Sequence, residues 1–324
     1  MVEDLTASEA TSSSFTLRRY AFVLLTICVG VGFSVGAFVL SRKWKLEALE
    51  ASFQSGAREC ASAIQKETDQ GLEMLCALAA FYAGSREVEL SEFSEFVKVL
   101  RKRHPDIQAL EWIPRVDDAE RETCEKAARD AGFDSFEITE RDAEGRLTRA
   151  AHRDEYFPVY LVEPYLGNEV AVGFDLASEP TRREALEKAR DTGAMAATPA
   201  ITLTQETAGK LGFLAFHPVY RKGTPTGTVE ERRTNLEGFV LGVYRVPDLL
   251  DKALSVIRIE GIDLHLFETP AGEGARLLYH LAPSGECISG ETEAELGVET
   301  LTQGVHHSTP ILVADRRWLL ISTP

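Results

Sequence analysis

The first pattern along the chain is an uninterrupted apolar run that covers residues 20–40 and contains no charged side chain. Basic residues flank this run on both sides: Arg18 and Arg19, then Arg42, Lys43 and Lys45. A helix needs about 20 apolar residues to cross a bilayer, so the run predicts a transmembrane helix over residues 20–40. A cleaved signal peptide is the alternative, but its apolar core is about 7–15 residues long and ends at small residues. The run is longer than that, and Ser41-Arg42-Lys43 follows it, which favours an uncleaved anchor.

The next pattern predicts a stalk helix over residues 41–85. Residues 44–85 contain no proline, and apolar side chains recur there at alternating spacings of three and four. The apolar positions of this seam are Leu46, Leu49, Phe53, Cys60, Met74, Ala77 and Phe81, and Glu67 and Gln70 interrupt it. Such a seam suits a helix that pairs with a second copy of itself, or a helix that packs on its own domain. The two interpretations can hold in different parts of the helix.

The remaining residues mix short strand patterns with short helix patterns. Helices are predicted at 91–103, 118–131, 180–191 and 247–256. Strands are predicted at 107–116, 136–139, 156–162, 170–176, 201–204, 212–220, 238–246, 262–267, 276–281, 309–313 and 317–321. The charged stretch 221–235, rich in glycine, threonine and proline, suits a loop or a boundary. This order predicts an α+β protein: a cytoplasmic tail (1–19), the membrane helix, the stalk, and two α/β modules with antiparallel sheets (86–225 and 226–324).

Charge and cysteine content narrow the classes of function. The formal net charge is −16 and the isoelectric point is about 5.0, which disfavours binding to nucleic acid or to anionic lipid surfaces. The five cysteines show neither zinc-site spacing nor the density of a disulfide scaffold. The flanking basic residues number two before the apolar run and three after it, which does not decide the orientation of the helix.

No motif indicates catalysis, a cofactor or a metal site. The seven histidines form no His-x-x-x-His pair, and the adjacent His306 and His307 would point to opposite faces of a strand. The chain contains neither a phosphate-binding Gly-x-x-x-x-Gly-Lys loop nor a Gly-x-Ser-x-Gly elbow. We therefore predict no enzymatic activity for this chain and no cofactor.

A set of short strings carries a resemblance to a known family. They are FYAGS at 81–85, IQALEWIPRV at 107–116, ERE at 120–122, YFPV at 156–159, GNE at 167–169, GFDLASEP at 173–180, ARDTG at 189–193, FHPVY at 216–220 and GFV at 238–240. Their order and spacing over about residues 71–250 resemble the CHASE domain, the extracellular sensory module of histidine kinases and nucleotide cyclases.

The resemblance implies a layout and a location. The family places this module outside the cytoplasm, between two membrane helices, on a long stalk helix followed by two PAS-like subdomains. It thus implies that residues 1–19 are cytoplasmic, that 86–225 form the membrane-distal module and that 226–324 form the membrane-proximal one. A second membrane helix and a histidine kinase or diguanylate cyclase output domain would be missing from this chain. We expect a single-pass protein of the inner (cell) membrane, with its sensory domain in the periplasm or extracellular space.

The resemblance also implies a ligand site in the distal module, at Phe174, Arg182, Thr198, Leu203, Thr204 and Phe216. Plant cytokinin receptors of this family bind an adenine-type hormone there. Arg182 stands where they carry an acidic residue, and Phe216 where they carry a small polar one, which argues against the same hormone; Thr198 matches a family threonine. A guanidinium in the first turn of a helix would suit an anionic small molecule. The alternative is that Arg182 is a solvated charge, while Phe174 either lines the pocket or fills the core.

Together these patterns predict the sensory region of a transmembrane receptor. An unknown small molecule would bind the distal module, and a homodimer would relay the signal through its stalk to an output domain. The competing interpretation is a membrane-anchored periplasmic binding or scaffold protein with no attached enzyme, and a periplasmic enzyme is the third. The coding sequence beyond residue 324 would separate the first two.

Overall fold

The structure is a computed structural model that describes residues 4–86, 88–203, 211–257, 261–268, 274–283, 287–288 and 297–324. Contacts divide the chain into two compact units, residues 1–55 and residues 56–324. The described helices are α1 (Asp4–Gly84), α2 (Leu90–Arg101), α3 (Arg121–Asp130), α4 (Pro180–Thr192), α5 (Val229–Asn235), α6 (Val246–Leu254) and α7 (Val298–Leu301).

The described strands lie in two large sheets and two small ribbons. They are β1 (Ile107–Pro114), β2 (Val116–Asp117), β3 (Thr139–Arg141), β4 (Leu147–Arg149), β5 (Glu155–Tyr156), β6 (Leu161–Glu163), β7 (Ala196–Ala197), β8 (Ile201–Thr202), β9 (Leu211–Tyr220), β10 (Leu236–Arg245), β11 (Asp263–Glu268), β12 (Arg276–Leu281), β13 (Cys287–Ile288), β14 (His307–Val313) and β15 (Arg316–Thr323). Every pairing between these strands is antiparallel. The predicted α+β class with antiparallel sheets is confirmed.

The unit formed by residues 1–55 consists, where it is described, of the first part of α1. Its apolar side chains between Val23 and Leu40 are exposed, and none of the most apolar window is buried. Within the described part of the chain, this is the one helix that is long and apolar enough to cross a membrane. The predicted membrane helix and the predicted stalk are parts of one continuous helix.

A six-stranded sheet forms the centre of the second unit. Its strand order is β6-β1-β10-β9-β7, and β8 also pairs with β9. We predicted that the second module begins at residue 226, but β10 pairs with β1 on one side and with β9 on the other. The first sheet therefore extends to Arg245. The two long strands β9 and β10 form a hairpin, and the segment 221–235 is the connection between them. That segment also contains the short helix α5, which we predicted as loop.

The two faces of this sheet pack on different partners. On one face, Trp112 of β1 stacks on Tyr82 of α1 at a centroid distance of 4.0 Å. On the same face, Tyr244 of β10 donates a hydrogen bond from its hydroxyl to the Gly71 carbonyl at 2.8 Å. On the other face, Phe239, Leu241 and Val243 of β10 join a core that includes residues of α4. Trp112 is therefore a core residue.

Part of α1 packs on its own domain. Its buried side chains between residues 56 and 84 include Ala57, Cys60, Ala61, Ile64, Thr68, Leu75, Leu78 and Tyr82. This stripe lies about one position away from the predicted seam, and Ala77 of that seam is exposed. Within the unit 1–55, Leu46 and Leu49 are 57% and 67% exposed. The interpretation of a helix packed on its own domain thus holds for residues 57–82.

The second large sheet has the strand order β13-β12-β11-β15-β14. Trp318 of β15 meets Phe213 of β9 edge to face at 5.2 Å, so the two sheets share an aromatic contact. The Gln65 side chain of α1 bonds both the N–H and the carbonyl of Leu312 in β14. Both sheets therefore form hydrogen bonds with the same helix, α1.

Some of the short strand predictions are wrong. Residues 170–176 were predicted as a strand but form parts of two short 3-10 turns around Gly173, whose φ of +82° is left-handed. Residues 136–138 lie outside any strand, and β3 starts at Thr139. Helix α4 matches its prediction, with Glu179 as its N-cap and a left-handed Gly193 at its end.

Candidate functional site

A small closed cavity lies between α4 and the face of the six-stranded sheet that points away from α1. Its volume is about 20 Å³, which is space for one water molecule. The residues that line it are apolar apart from two: Glu111, Val159, Ala171, Phe174, Leu176, Arg182, Leu203, Leu214, Leu241 and Val243. Three of the six residues predicted for the ligand site, Phe174, Arg182 and Leu203, therefore meet in one cavity wall.

Arg182 is buried, with 4% of its surface exposed, so the expectation of a solvated charge is wrong. Pro180 starts α4, and Arg182 in its first turn lies on the buried side of the helix with Ala185 and Leu186. The Arg182 Nε lies 3.2 Å from a Glu179 carboxylate oxygen, and the guanidinium lies over the Phe174 ring at 5.1 Å. Burial lowers the pKa of Arg182, and Glu179 and Glu111 oppose that change. The cation is stabilised by charge and by an aromatic face.

Glu111 is the second polar residue of the cavity, and the sequence analysis did not identify it. It lies in the middle of β1 and is 2% exposed. Burial raises the pKa of its carboxyl to about 8, and nearby Arg182 offsets part of that rise. The carboxyl is therefore mostly neutral at pH 7 and can donate a hydrogen bond. The available signal was a charged residue inside an apolar strand, between Leu110 and Trp112.

Of the other predicted site residues, Thr198 and Phe216 lie in the structure around the cavity. The Thr198 N–H donates to the Leu214 carbonyl at 2.9 Å, and its hydroxyl oxygen accepts from the Leu214 N–H at 3.0 Å. Thr198 thus holds the strand that carries the cavity residue Leu214. Phe216 is fully buried in the surrounding core, and its ring lies 6.1 Å from that of Phe239. Phe174 both lines the cavity and belongs to the core. Thr204 lies outside the described residues.

A larger cleft of about 570 Å³ lies on another side of α4. Four arginines line it: Arg115, Arg153, Arg183 and Arg190. Three of them already pair with carboxylates, for example Arg153 with Asp175 at 2.6 Å and Arg115 with Glu155 at 2.7 Å. Three of these four cations are thus neutralised by fixed partners, and we take the closed cavity as the candidate site.

The pKa of Glu111 predicts a specific dependence of stability on pH. The carboxyl binds its proton more tightly in the folded chain than at its ordinary value of 4.5, so the folded state loses stability as pH rises from about 4.5 to about 8. Glu111→Gln removes this titration. Each unit of pKa change corresponds to about 1.4 kcal/mol, so we expect the wild type to lose at least about 1.4 kcal/mol more than the variant across this range. Urea unfolding at pH 5 and pH 8 measures the difference.

The exposed Glu122 on α3 provides the control for this measurement. The Glu122→Gln variant is expected to follow the wild-type pH curve. If the free energies of unfolding of wild type and Glu111→Gln change in parallel with pH, the pKa of Glu111 is not raised by folding.

The strand segment beside the cavity is held by the second sheet. The Ala197 N–H donates to Asp315 at 2.7 Å, and Arg316 Nε donates to the Ala197 carbonyl at 2.6 Å. Next along the segment, the Ala200 N–H donates to Glu268 at 3.0 Å, and Arg276 donates to the Ala200 carbonyl at 2.9 Å. Thr198, between these anchors, bonds the cavity residue Leu214. A continuous set of hydrogen bonds therefore joins the cavity wall to β11, β12 and β15.

Comparison with known proteins gives two matches. A protein-family model described as the CHASE domain matches residues 86–279. A relative from Dictyostelium discoideum, hybrid signal transduction histidine kinase A, is 23% identical over 321 residues. The match covers 95% of this chain and 15% of that kinase, so the chain spans about 15% of the length of this relative.

Proposed function

Because the chain belongs to the CHASE domain family, whose members are extracellular sensory domains of membrane receptors, we propose that it binds a small molecule in the closed cavity and transmits that event to an output enzyme. The match over residues 86–279 carries the sensory assignment. The cavity supports the position of the site, because it contains two buried ionisable groups inside an apolar wall. Buried ionisable groups whose pKa values are shifted make a cavity a candidate functional site.

The chemistry of the wall favours a largely apolar ligand with one polar end. Eight of the ten lining residues are apolar. At the polar end, Arg182 offers N–H donors and the neutral Glu111 offers an O–H donor, so the complementary group accepts hydrogen bonds. A carboxylate is the best candidate, because it also carries the charge that Arg182 attracts. A volume of about 20 Å³ requires neighbouring side chains to move before such a molecule enters.

The hydrogen bonds around Ala197 and Ala200 support a route for the signal. A ligand that displaces Leu203 or Leu214 would shift the neighbouring segment that contains Ala197 and Ala200, which Asp315, Arg316, Glu268 and Arg276 hold. The second sheet is fastened to α1 through Gln65. Ligand binding changes the equilibrium between two arrangements only if its affinity for them differs, and a change of cavity volume supplies such a difference.

We place the chain in the inner (cell) membrane by its N-terminal helix, with the sensory part in the periplasm or extracellular space. The two modules are PAS-like in this proposal, and two copies pair through the exposed part of α1 that carries Leu46 and Leu49. The output is a histidine kinase, as in the similar Dictyostelium protein, or a diguanylate cyclase. The chain itself would be a sensor in a two-component system.

Paired ligands test the proposed chemistry. We expect small aliphatic carboxylic acids to raise the melting temperature of the full chain in nanodiscs more than their amides, and both more than their amines. The advantage of the acid should shrink as pH rises through about 8, because Glu111 then ionises and repels the carboxylate. Thermal unfolding at pH 6 and pH 9 measures this. Preferential stabilisation by the amine would contradict the assignment.

A further inference from the structure

We propose that Asp263, His265 and His280 form a binding site for one divalent transition-metal ion in the second sheet. The site lies on β11 and β12, apart from the ligand cavity. The ligand atoms of the three side chains all lie within 4.8 Å of one another. Its donor set is two imidazole nitrogens and one carboxylate oxygen.

The register of the sheet brings these side chains together. His265 and His280 lie directly opposite each other in the β11–β12 pair. Asp263 precedes His265 by two residues, so both side chains point to the same face of β11. One Asp263 oxygen lies 2.7 Å from His280 Nε2 and 4.0 Å from His265 Nε2. Three donors from two neighbouring strands thus converge on one point.

The two rings are buried, and solvent reaches the site from the Asp263 side. His265 and His280 are 1% and 6% exposed, and their rings stack with centroids 4.3 Å apart. Neutral imidazole is the form that binds metals. The Asp263 side chain is 26% exposed and gives an ion access from solvent.

The distances are close to those of a coordination sphere. With metal–ligand bonds of about 2.0–2.2 Å, tetrahedral ligand atoms lie about 3.3 Å apart. The two carboxylate–imidazole distances, 2.7 Å and 4.0 Å, reach that value by shifts of less than 1 Å. Imidazole with carboxylate suits Zn²⁺, Ni²⁺, Co²⁺ or Cu²⁺, whereas Ca²⁺ and Mg²⁺ prefer oxygen ligands.

A second cluster in the described residues shows the contrast. Glu67, His104 and Asp106 also converge, but Lys252 occupies their centre. Its Nζ lies 2.6 Å from Glu67, 2.6 Å from Asp106 and 3.0 Å from His104 Nδ1. In that cluster, the Lys252 ammonium group already occupies the position that a metal ion would take. For Asp263, the ion-pair partners found in the described residues are the two histidines, with no lysine or arginine among them.

The location connects the metal site to the signal route. β11 and β12 carry the site near one end of their pairing, and at the other end Glu268 and Arg276 bond Ala200. An ion shared by the two strands would fix their relative position, and through it the segment beside the cavity. Metal occupancy would then modulate ligand sensing; this last step rests on the proposed function, whereas metal binding does not.

Cobalt titration of the full chain in detergent tests the site. The protein is purified without a histidine tag, stripped with EDTA and titrated with Co²⁺ while the visible d–d absorption is recorded; bound metal is then counted by mass spectrometry. We expect one equivalent to bind the wild type and Zn²⁺ to displace it. Asp263→Asn and His280→Gln should each weaken binding by about tenfold or more, because each removes one of three ligands.

The control is His104→Gln, which removes a histidine from the cluster that holds Lys252 and should leave binding unchanged. Circular dichroism and melting temperature in EDTA verify that each variant is folded. Two different ligand variants are used so that a folding defect in one leaves the other informative. The proposal is overturned if the wild type binds no stoichiometric metal, if both ligand variants still bind it, or if the His104 variant loses it.

Discussion

Replacing Gly173 by alanine is expected to lower the free energy of unfolding by about 3 kcal/mol or more, which combines left-handed backbone strain with a steric clash. Gly173 has a φ of +82°, and a Cβ there would lie 2.3 Å from the Glu137 carbonyl oxygen. Its own N–H and carbonyl bond Val159 and Thr139, so the backbone cannot shift without breaking those bonds. The next residue is Phe174, whose ring supports Arg182, so the cavity should be disturbed as well. Urea unfolding measures the loss.

Gly167→Ala is the matched control for this prediction. Gly167 has a similar φ of +89°, but no atom lies within 4 Å of the position of its Cβ. The Gly167→Ala variant should lose only the conformational contribution to the free energy of unfolding, about 1 kcal/mol. Equal losses for the two variants would mean that the contact with Glu137 contributes nothing.

Replacing Arg121 by methionine is expected to cost about 3–5 kcal/mol in the free energy of unfolding, because it removes a buried cation that pairs with the Glu125 carboxylate and donates to two backbone carbonyls. The guanidinium bonds Glu125 at 3.1 Å, the Ala150 carbonyl at 2.9 Å and the Ile138 carbonyl at 3.0 Å. Arg121 thus joins α3 to the open end of the β3–β4 ribbon, where β3 begins and β4 ends. Denaturant unfolding of the full chain measures the change.

Arg129→Met, in the same helix, serves as the control. Arg129 donates one hydrogen bond, to the Phe136 carbonyl at 2.8 Å, and its replacement should cost about 1 kcal/mol. If Arg121→Met costs no more than Arg129→Met, the buried hydrogen bonds of Arg121 are not a main source of stability.

The sequence predicted most of the long elements because their periodicity is strong. Helix α4, with Pro180 at its start and Gly193 at its end, and strands β9 and β12 lie within a few residues of their predicted positions. The predicted module boundary at residue 225 falls between two paired strands, β9 and β10. A loop rich in glycine and proline looks like a linker, yet here it connects the two central strands of one sheet.

The site was only partly predictable. Arg182 was identified, but its burial was not, because the pattern of α4 does not reveal that Phe174 and Glu179 neutralise and cover its guanidinium. Glu111 was missed although it interrupts an apolar strand. The pair His265 and His280 was missed because they are separated along the chain and meet only through the register of β11 and β12. Short local motifs cannot indicate such cross-strand contacts.

The central claim is that the closed cavity is where the sensor binds its ligand. Val243→Ile tests it, because the substitution adds one methyl group to the cavity wall and leaves the charges unchanged. Val240→Ile is the matched control: the same change in the same strand, at a buried residue three positions away and therefore on the opposite face.

The decisive measurement is the ligand-induced rise in melting temperature of wild type, Val243→Ile and Val240→Ile in nanodiscs, over the panel of acids, amides and amines. The account predicts that the best acid stabilises the wild type and the Val240 variant equally, and that Val243→Ile loses most of that rise because the ligand no longer fits. A rise of the same size in Val243→Ile, or no stabilising compound in the whole panel, would contradict the account.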